Sequence, residues 1–199
     1  MNPKIENLIK LFSKLPRVGG RAARRIVLSL LQDKTGKMQI LSDCLQDTYK
    51  SVHICPNCGI ATDSTSNLCN FCEDESRNNG SLCVVRDLGD VWTIEKTGIF
   101  KGRYHILGGL ISGINGITPN DLNISMIIDR IDKEKIKEII FVLPNTIEGK
   151  TTQHYVISLL SDFKDLIFSE LASGMPLGGD LDYIDDGTLS LAFGERKVI

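Results

Sequence analysis

Four cysteines in two closely spaced pairs constrain this chain more than any other feature of its sequence. Cys55 and Cys58 form one C-x-x-C pair, and Cys69 and Cys72 form a second pair after ten intervening residues. Two such pairs can surround one ion with four thiolates, the usual arrangement of a zinc site. Because four cysteine ligands leave no open coordination position, we predict structural rather than catalytic Zn²⁺. Four unrelated cysteines or a redox dithiol are the alternatives.

The other two cysteines, Cys44 and Cys83, lie outside this pattern. In a chain without a secretory signal, cysteines are expected to be metal ligands or reduced thiols, because the cytosol keeps thiols reduced. No apolar run is long enough to span a membrane, and the first ten residues alternate charges with Ile and Leu, unlike a signal peptide. The sequence therefore predicts a cytoplasmic protein without a membrane segment.

The charge of the chain is unevenly distributed along its length. The net charge is -2, but residues 1–52 carry ten Lys and Arg against four Asp and Glu. The remaining residues carry 13 against 21, so a head of +6 precedes a body of -8. A basic region of this kind favours binding to a polyanion, with a solvated basic helix face as the alternative.

Two helical patterns meet at a glycine-rich turn, Pro16 to Gly20, within the basic region, and a third follows from about Met38 to Val52. The turn resembles the helix-hairpin-helix motif, which binds the DNA backbone without reading base sequence. That motif usually has glycine at the position of Arg17. Backbone amides at the start of the second helix attract a phosphate, and nearby cations add to the attraction. The candidate DNA-binding residues are Arg17, Arg21, Arg24 and Arg25.

From Leu82 onward, short apolar strands alternate with helical patterns. Strands are predicted at 82–85, 104–107, 138–143 and 166–168. Helices are predicted at 88–95 with Asp87 as the cap, at 124–131 and at 151–161, and Trp92 is predicted to be buried. This alternation is typical of a mostly parallel sheet covered by helices on both faces. We therefore predict an α/β chain with a helix-hairpin-helix region (1–53), a zinc module (54–79), a mostly parallel α/β domain (80–172) and a C-terminal segment (173–199).

The third predicted strand leads directly into a helix, where α/β sheets commonly place their functional sites. This stretch, 141–150, resembles the acidic turn of the Toprim domain, whose carboxylates hold magnesium in the active enzymes. Pro144 and Thr146 occupy the two aspartate positions, Arg86 occupies the glutamate position after the first strand, and Glu148 is retained. Because phosphoryl transfer needs several oxygen ligands around the metal, the sequence predicts a Toprim-like domain without enzymatic activity.

The order of these motifs, followed by the segment from Gly174 to Tyr183, resembles the RecR family of bacterial recombination mediators. The resemblance covers nearly the whole chain and implies a DNA-repair protein that acts with RecO, and sometimes RecF, to help load recombinase onto single-stranded DNA. It also implies ring-like homotetramers joined through N-terminal and C-terminal contacts, which would make 173–199 an oligomerisation segment. The family's basic hairpin positions correspond to Arg21 and Arg25, its zinc ligands to the four cysteines, and its partner-binding Toprim glutamate to Glu148.

Two other classes of function fit parts of the same pattern. One is a small zinc-containing Toprim nuclease or topoisomerase-like enzyme, which the missing carboxylates disfavour. The other is a zinc-stabilised adaptor that never contacts DNA, which the basic head disfavours. The sequence therefore favours a binding protein over an enzyme.

Overall fold

The computed structural model describes residues 2–172, residue 182 and residues 184–194. The chain divides into two units, Met1–Val52, called the first unit below, and His53–Ile199, called the second unit. Each unit has its own set of secondary-structure elements, and the cysteines of the predicted metal site all belong to the second unit.

The first unit consists of three helices, which are α1 (Pro3–Ser13), α2 (Gly20–Gln32) and α3 (Gln39–Ser51). One turn of π-helix, Lys34–Met38, lies between α2 and α3. The Asn2 side chain caps α1 by accepting a hydrogen bond from the Lys4 amide at 2.9 Å. Helices α1 and α2 pack against each other across the predicted turn. Among the described residues of this unit, Ala23 and Val27 of α2 are the buried ones.

The second unit begins with a small module that carries the four cysteines. Strand β1 (His53–Ile54) pairs antiparallel with β2 (Ala61–Thr62), and a short helix, α4 (Asn70–Glu73), follows. The first cysteine pair lies between the two strands, and the second pair lies at the start of α4. A turn of 3-10 helix, Glu75–Arg77, leads from this module toward the main sheet.

Four parallel strands form the main sheet in the order β4-β3-β5-β6. They are β3 (Ser81–Val85), β4 (Arg103–Ile106), β5 (Glu138–Val142) and β6 (Ile167–Glu170). The connections between them contain α5 (Leu88–Glu95), α6 (Met126–Lys133) and α7 (Ile147–Leu159). The predicted α/β class with a parallel sheet is therefore confirmed.

Alternate residues of β3 enter two different hydrophobic cores, because successive side chains of a strand point to opposite faces of the sheet. Leu82 and Val84 belong to a core that includes residues of α6 and α7. Cys83 and Val85 belong to a second core that includes the four cysteines of the module and Val91 of α5. The cysteine module and α5 thus cover one face of the sheet, while α6 and α7 cover the other.

Two details differ from the predictions. Trp92 is 61% exposed rather than buried, because Val91 is the α5 residue that enters the core. Helix α7 begins at Ile147 rather than at 151, because the Thr146 side chain accepts a hydrogen bond from the Gly149 amide and caps the helix there.

The last described element is helix α8 (Asp186–Gly194). Asp185 precedes it and accepts hydrogen bonds from the Thr188 amide at 2.9 Å and the Thr188 hydroxyl at 2.7 Å. Most of the predicted C-terminal oligomerisation segment, 173–199, lies outside the described residues. None of the described helices has the length and apolar character that crossing a membrane would require.

Candidate metal centre and nucleic-acid interface

The four predicted metal ligands converge on one point. The sulfur atoms of Cys55, Cys58, Cys69 and Cys72 all lie within 4.8 Å of one another, and all four residues are buried. The Cys58 and Cys69 sulfurs are 3.4 Å apart, and the Cys55 and Cys72 sulfurs are 4.0 Å apart. Tetrahedral zinc with Zn–S bonds of about 2.3 Å gives sulfur–sulfur distances of about 3.8 Å. The donor set and its dimensions therefore fit a zinc ion.

The backbone of the first cysteine pair explains why glycine follows Cys58. Gly59 has φ +80°, in the left-handed region, and its amide donates to the Cys55 carbonyl at 3.0 Å. A Cβ at this position would lie 2.9 Å from the Ile106 carbonyl oxygen. The Ile106 amide donates to the Cys58 carbonyl at 2.8 Å. The turn that carries the first cysteine pair is therefore fixed directly to the end of β4.

Two N–H groups point at sulfur atoms of the cluster. The Cys69 amide donates to Cys55 Sγ at 3.4 Å, and the Asn57 side-chain amide donates to Cys72 Sγ at 3.4 Å. Donors of this kind orient and stabilise metal-binding thiolates. The hydrogen bond between Cys58 and Cys69 raises the pKa of the Cys58 thiol and lowers the pKa of Cys69 to about 4. One of these two sulfurs thus gives up its proton more readily than an ordinary cysteine, and thiolate is the form that binds metal.

The remaining two cysteines stay outside the cluster. Cys44 is exposed on α3, and Cys83 is buried on β3. Burial raises the pKa of Cys83 to about 12, so this thiol stays protonated at neutral pH.

A buried ion-pair network beside the metal centre is not predicted from the sequence. Arg130, which is 1% exposed, donates to the Glu134 carboxylate at 2.7 and 2.9 Å. Arg103, also buried, lies 3.2 Å from the same carboxylate. Burial alone would raise the pKa of Glu134, but the hydrogen bonds from Arg130 lower it to about 2. Arg130 also donates to the Tyr104 carbonyl at 2.7 Å, so the network joins α6 to β4.

The predicted DNA-binding surface lies around the start of α2. The helix begins after Gly19, and among the described residues no side chain caps it. A Cβ added at Gly19 or Gly20 would have no neighbour within 4 Å, so the backbone is open to a ligand here. The positive end of the helix dipole and its unpaired amides suit a phosphate group. The exposed arginines on and beside the first turns of this helix are Arg17, Arg21, Arg24 and Arg25.

Arg17 adopts a backbone conformation that favours glycine. Its φ is +63°, and Arg17 and Lys135 are the two non-glycine residues with positive φ in the described part of the chain. A left-handed conformation costs a residue with a Cβ about 1–2 kcal/mol. This cost explains why glycine is usual at this position of the motif. In this chain an arginine stands there instead, in a strained conformation.

At the end of β3, Arg86 pairs with the acidic residues that follow it. Its guanidinium lies 2.8 Å from the Asp87 carboxylate and 3.6 Å from that of Asp90. Asp87 and Asp90 also form the capping box of α5. Burial alone would raise the pKa of Asp87, but the hydrogen bond from Arg86 keeps it below the ordinary value. The arginine at the position of the Toprim glutamate thus offsets part of the charge of the two carboxylates nearest to it.

At the end of β5, Glu148 is the acidic residue retained from the Toprim turn. It is half-buried in the first turn of α7, and the structure shows no hydrogen bond or ion pair of its carboxylate with another described residue. The Thr146 hydroxyl caps the helix instead. Gly149 lies so close to Pro144 that a Cβ would overlap the Pro144 carbonyl oxygen. In the described residues, the four cysteines are the group of ligating side chains that could hold a metal, and Glu148 is not part of it.

Family models match three parts of this chain. The model described as "RecR, helix-hairpin-helix" matches residues 5–49, "Toprim domain" matches 80–168, and "RecR, C-terminal" matches 174–197. With the fold and the cysteine cluster, these matches define a class of protein that combines a helix-hairpin-helix, a four-cysteine module and a Toprim domain.

Relatives named "Recombination protein RecR" align with the whole chain. The protein of Ruegeria sp. (strain TM1040) is 46% identical over 198 residues, which cover 100% of this chain and 98% of the relative. The protein of Maricaulis maris is 42% identical over 197 residues, covering 99% and 96%. That of Bartonella bacilliformis is 43% identical over 194 residues, covering 98% and 95%. The chain therefore belongs to the RecR family, which confirms the resemblance seen in its motifs.

Proposed function

We propose that this chain is a DNA-binding recombination mediator that acts in DNA repair and catalyses no reaction itself. Membership of the RecR family supports a role in recombination, the process named in its relatives. The observation that carries the DNA-binding part is the uncapped start of α2, surrounded by exposed arginines. The cytoplasm is the proposed compartment, because it keeps the four cysteines reduced for metal binding.

The proposed DNA contact is to the phosphate backbone and is independent of base sequence. Arg21 and Arg25 are the principal contacts, and Arg17 and Arg24 add charge beside them. The hairpin presents a helix end and cations, which position a protein on DNA without reading bases. Such contacts release counterions, so binding weakens as salt increases. Binding by one subunit is weak, and assembly of several subunits multiplies it through avidity.

We also propose that the ion bound by the four cysteines is Zn²⁺ and that its role is structural. The four buried sulfurs lie within 4.8 Å of one another, close enough to surround one tetrahedral ion. When bound, the ion supplies a cross-link between the turn that carries Cys55 and Cys58 and the start of α4. The residues of this chain then hold that cross-linked module on one face of the main sheet.

We propose that the chain has no enzymatic activity because of the residues that follow β3 and β5. Arg86 carries positive charge at a position where a metal-dependent enzyme needs a carboxylate, and it pairs with Asp87 and Asp90. Pro144 and Thr146 supply no carboxylate at the second strand end. Magnesium-dependent phosphoryl transfer needs several oxygen ligands converging on one ion.

The Toprim domain is instead proposed to bind a protein partner, RecO and in some assemblies RecF, and so to help load recombinase onto single-stranded DNA. Glu148 is the proposed contact, because its carboxylate is not engaged by the described residues around it. An acidic group of this kind orients a basic partner surface and raises the rate of association. Asp87 and Asp90 contribute less, since Arg86 already pairs with both.

A homotetramer is the proposed assembly, and the surface of the first unit supports it. Large apolar side chains there are half or more exposed, namely Leu11, Leu15, Ile40, Leu45 and Tyr49. We propose that these side chains form a contiguous apolar patch, the kind of surface that marks a protein interface. A second copy of the chain would cover it, and segment 173–199 is the other proposed interface.

The DNA-binding proposal is tested by charge reversal at the hairpin. We expect Arg21→Glu with Arg25→Glu to abolish binding to a fluorescent single-stranded oligonucleotide, measured by anisotropy over a range of salt concentrations. The control is Lys34→Glu with Lys37→Glu, which makes the same charge change at exposed positions of the same unit. Retained affinity in the arginine variant at moderate salt would contradict the proposed site.

The partner proposal is tested at Glu148 with two assays. Glu148→Lys is expected to weaken association with RecO while DNA affinity is retained, and Glu73→Lys serves as an exposed control with the same charge change. In the second assay, DNA is incubated with wild-type protein and Mg²⁺ or Mn²⁺. Metal-dependent cleavage or relaxation that Glu148→Lys destroys would establish the Toprim enzyme instead.

A further inference from the structure

The side chain of Asn57 lies between the metal centre and the buried ion-pair network. Asn57 stands inside the first C-x-x-C pair and is half-buried. Its Nδ2 atom is 3.4 Å from Cys72 Sγ in the second pair and 2.8 Å from Glu134 Oε1 at the end of α6. A side-chain amide nitrogen carries two hydrogens, so it can donate to both acceptors at once.

The ion-pair network determines which end of this amide faces the sulfur. Glu134 accepts two hydrogen bonds from Arg130, at 2.7 and 2.9 Å, and Arg103 lies 3.2 Å away. A carboxylate held by two guanidinium groups is ionised and can only accept hydrogen bonds. The contact with Glu134 therefore requires the nitrogen of Asn57 rather than its oxygen. The second N–H then points at Cys72, which must act as the acceptor.

We propose that Asn57 is a positioning residue that orients Cys72 as a thiolate metal ligand and connects the metal centre to α6. The inference rests on the proposed binding of zinc by the four cysteines. Hydrogen bonds to the atoms that bind a metal fix their direction and tune their strength as ligands. Here the donor comes from the first cysteine pair and the acceptor from the second, so the same contact also bridges the two halves of the site.

The proposal has a consequence for the kinetics of metal release. Without the hydrogen bond from Asn57, the side chain of Cys72 is held less firmly. A competing chelator should then replace its sulfur as a metal ligand more readily. Loss of a hydrogen-bonding partner of a metal ligand typically lowers metal affinity by about 10- to 100-fold. We expect an acceleration of zinc release of the same order in variants that remove the donor.

The test measures zinc release from the full-length, zinc-loaded protein into a chromogenic chelator. Asn57→Asp replaces the donor with a carboxylate of the same shape, and Asn57→Ala removes the donor without adding charge. The control is Asn67→Asp, which adds the same charge at an exposed position of the same module. Both Asn57 variants should release zinc about 10- to 100-fold faster than the wild type, and Asn67→Asp should match the wild type.

A second readout separates positioning from a general loosening of the module. In the Co²⁺-substituted protein, the sulfur-to-metal charge-transfer band should shift in Asn57→Ala and stay unchanged in Asn67→Asp. Unchanged release rates and an unchanged band in the Asn57 variants, with zinc bound by the wild type, would overturn the role of Asn57 alone. A wild-type protein that binds no zinc would overturn the proposed metal site, and this inference with it.

Discussion

The first and second units of the chain differ in how far their side-chain contacts reach. In the first unit, Gln39 donates to Asp43 one helical turn away. In the second unit, Asn57 donates to Glu134 across 77 positions of the sequence. The contact in the first unit supports a single helix, whereas the contact in the second unit joins the cysteine module to the helix layer of the sheet.

Burial shows the same difference. The second unit has two cores of 12 and 10 buried residues, whereas Ala23 and Val27 are the buried residues described in the first. Burial of apolar surface is the main stabilising contribution to folding. We therefore expect the second unit to be stable by itself and the first unit to depend on a surface supplied from outside, such as the second copy proposed above.

The largest expected effect is the loss of the metal, and it should be confined to the second unit. Cys55→Ser removes one of the four thiolates, and structural zinc stabilises small metal-dependent folds by on the order of 10 kcal/mol at neutral pH. We expect the cysteine module to unfold while α1 and α2 keep their protection from amide hydrogen exchange. Cys44→Ser, at an exposed position, is the control. Equal loss of protection in both units would contradict the comparison.

The next largest effect is expected from Arg130→Met, which tests whether long-range contacts stabilise the second unit. Arg130→Met leaves the Glu134 carboxylate buried without its main partner, which typically costs about 3–5 kcal/mol. We expect a loss of that size in the unfolding free energy, measured by urea denaturation. Lys133→Met removes an exposed cation from the same helix and should change it little. If Arg130→Met and Lys133→Met have the same free energy of unfolding, the buried network contributes no more to stability than an exposed ion pair does.

A smaller effect concerns pH and His105, which is fully buried. Its Nε2 lies 2.8 Å from the Asn123 carbonyl, and its Nδ1 lies 3.3 Å from Arg130, with Glu134 beyond that arginine. Burial, together with the positive charge of Arg130, lowers the pKa of His105 to about 3. Between a pH of about 6.5, the pKa in the unfolded chain, and about 3, the unfolded chain binds a proton that the folded chain does not. The free energy of unfolding therefore decreases as the pH is lowered through this range.

The expected slope from this one histidine is up to about 1.4 kcal/mol per pH unit below pH 6.5. Denaturation of His105→Gln between pH 7.5 and 5.5 should show a weaker pH dependence than the wild type. His154→Gln, at an exposed position, should follow the wild type. A wild-type slope in His105→Gln would show that other groups carry the pH dependence.

The sequence predicts the features that depend on residues close together in the chain. The spacing of the cysteines is enough to identify the cluster, because each pair lies within one short turn. Asp87 is predicted as a helix cap, and the structure confirms a capping box between Asp87 and Asp90. The strands of the parallel sheet are also predicted, most directly β3, which is buried on both faces and is a continuous apolar run after Ser81.

The features that the sequence does not predict depend on contacts between distant elements. Arg130 and Glu134 are four residues apart and look like an ordinary surface pair on a helix. Their burial is determined by Arg103 on β4 and Asn57 in the cysteine module, which no local pattern connects to α6. The prediction that Trp92 is buried is wrong for the same reason, since the position of α5 on the sheet decides which of its apolar residues is buried.

The smallest predicted effect returns to the first unit and its strained turn. Arg17 has φ +63°, which costs about 1–2 kcal/mol relative to glycine. Glycine gains conformational freedom in the unfolded chain, which offsets about 0.5–1 kcal/mol of that relief. We therefore expect Arg17→Gly to stabilise α1 and α2 by up to about 1.5 kcal/mol, measured as slower amide exchange. The loss of one cation should also weaken DNA binding slightly.

Lys14→Gly is the matched control for this substitution, because Lys14 follows α1 as its C-cap and has a helical backbone, φ -83°. Glycine relieves no strain there and should destabilise the helix pair by about 0.5–1 kcal/mol. Opposite signs for the two variants would show that the strain of Arg17 is present in solution and that its cation is retained at a cost in stability. If both variants change the stability of the helix pair in the same direction, Arg17 is not strained in solution. The exposed apolar surface of the first unit would then be the reason that this unit packs less well than the second.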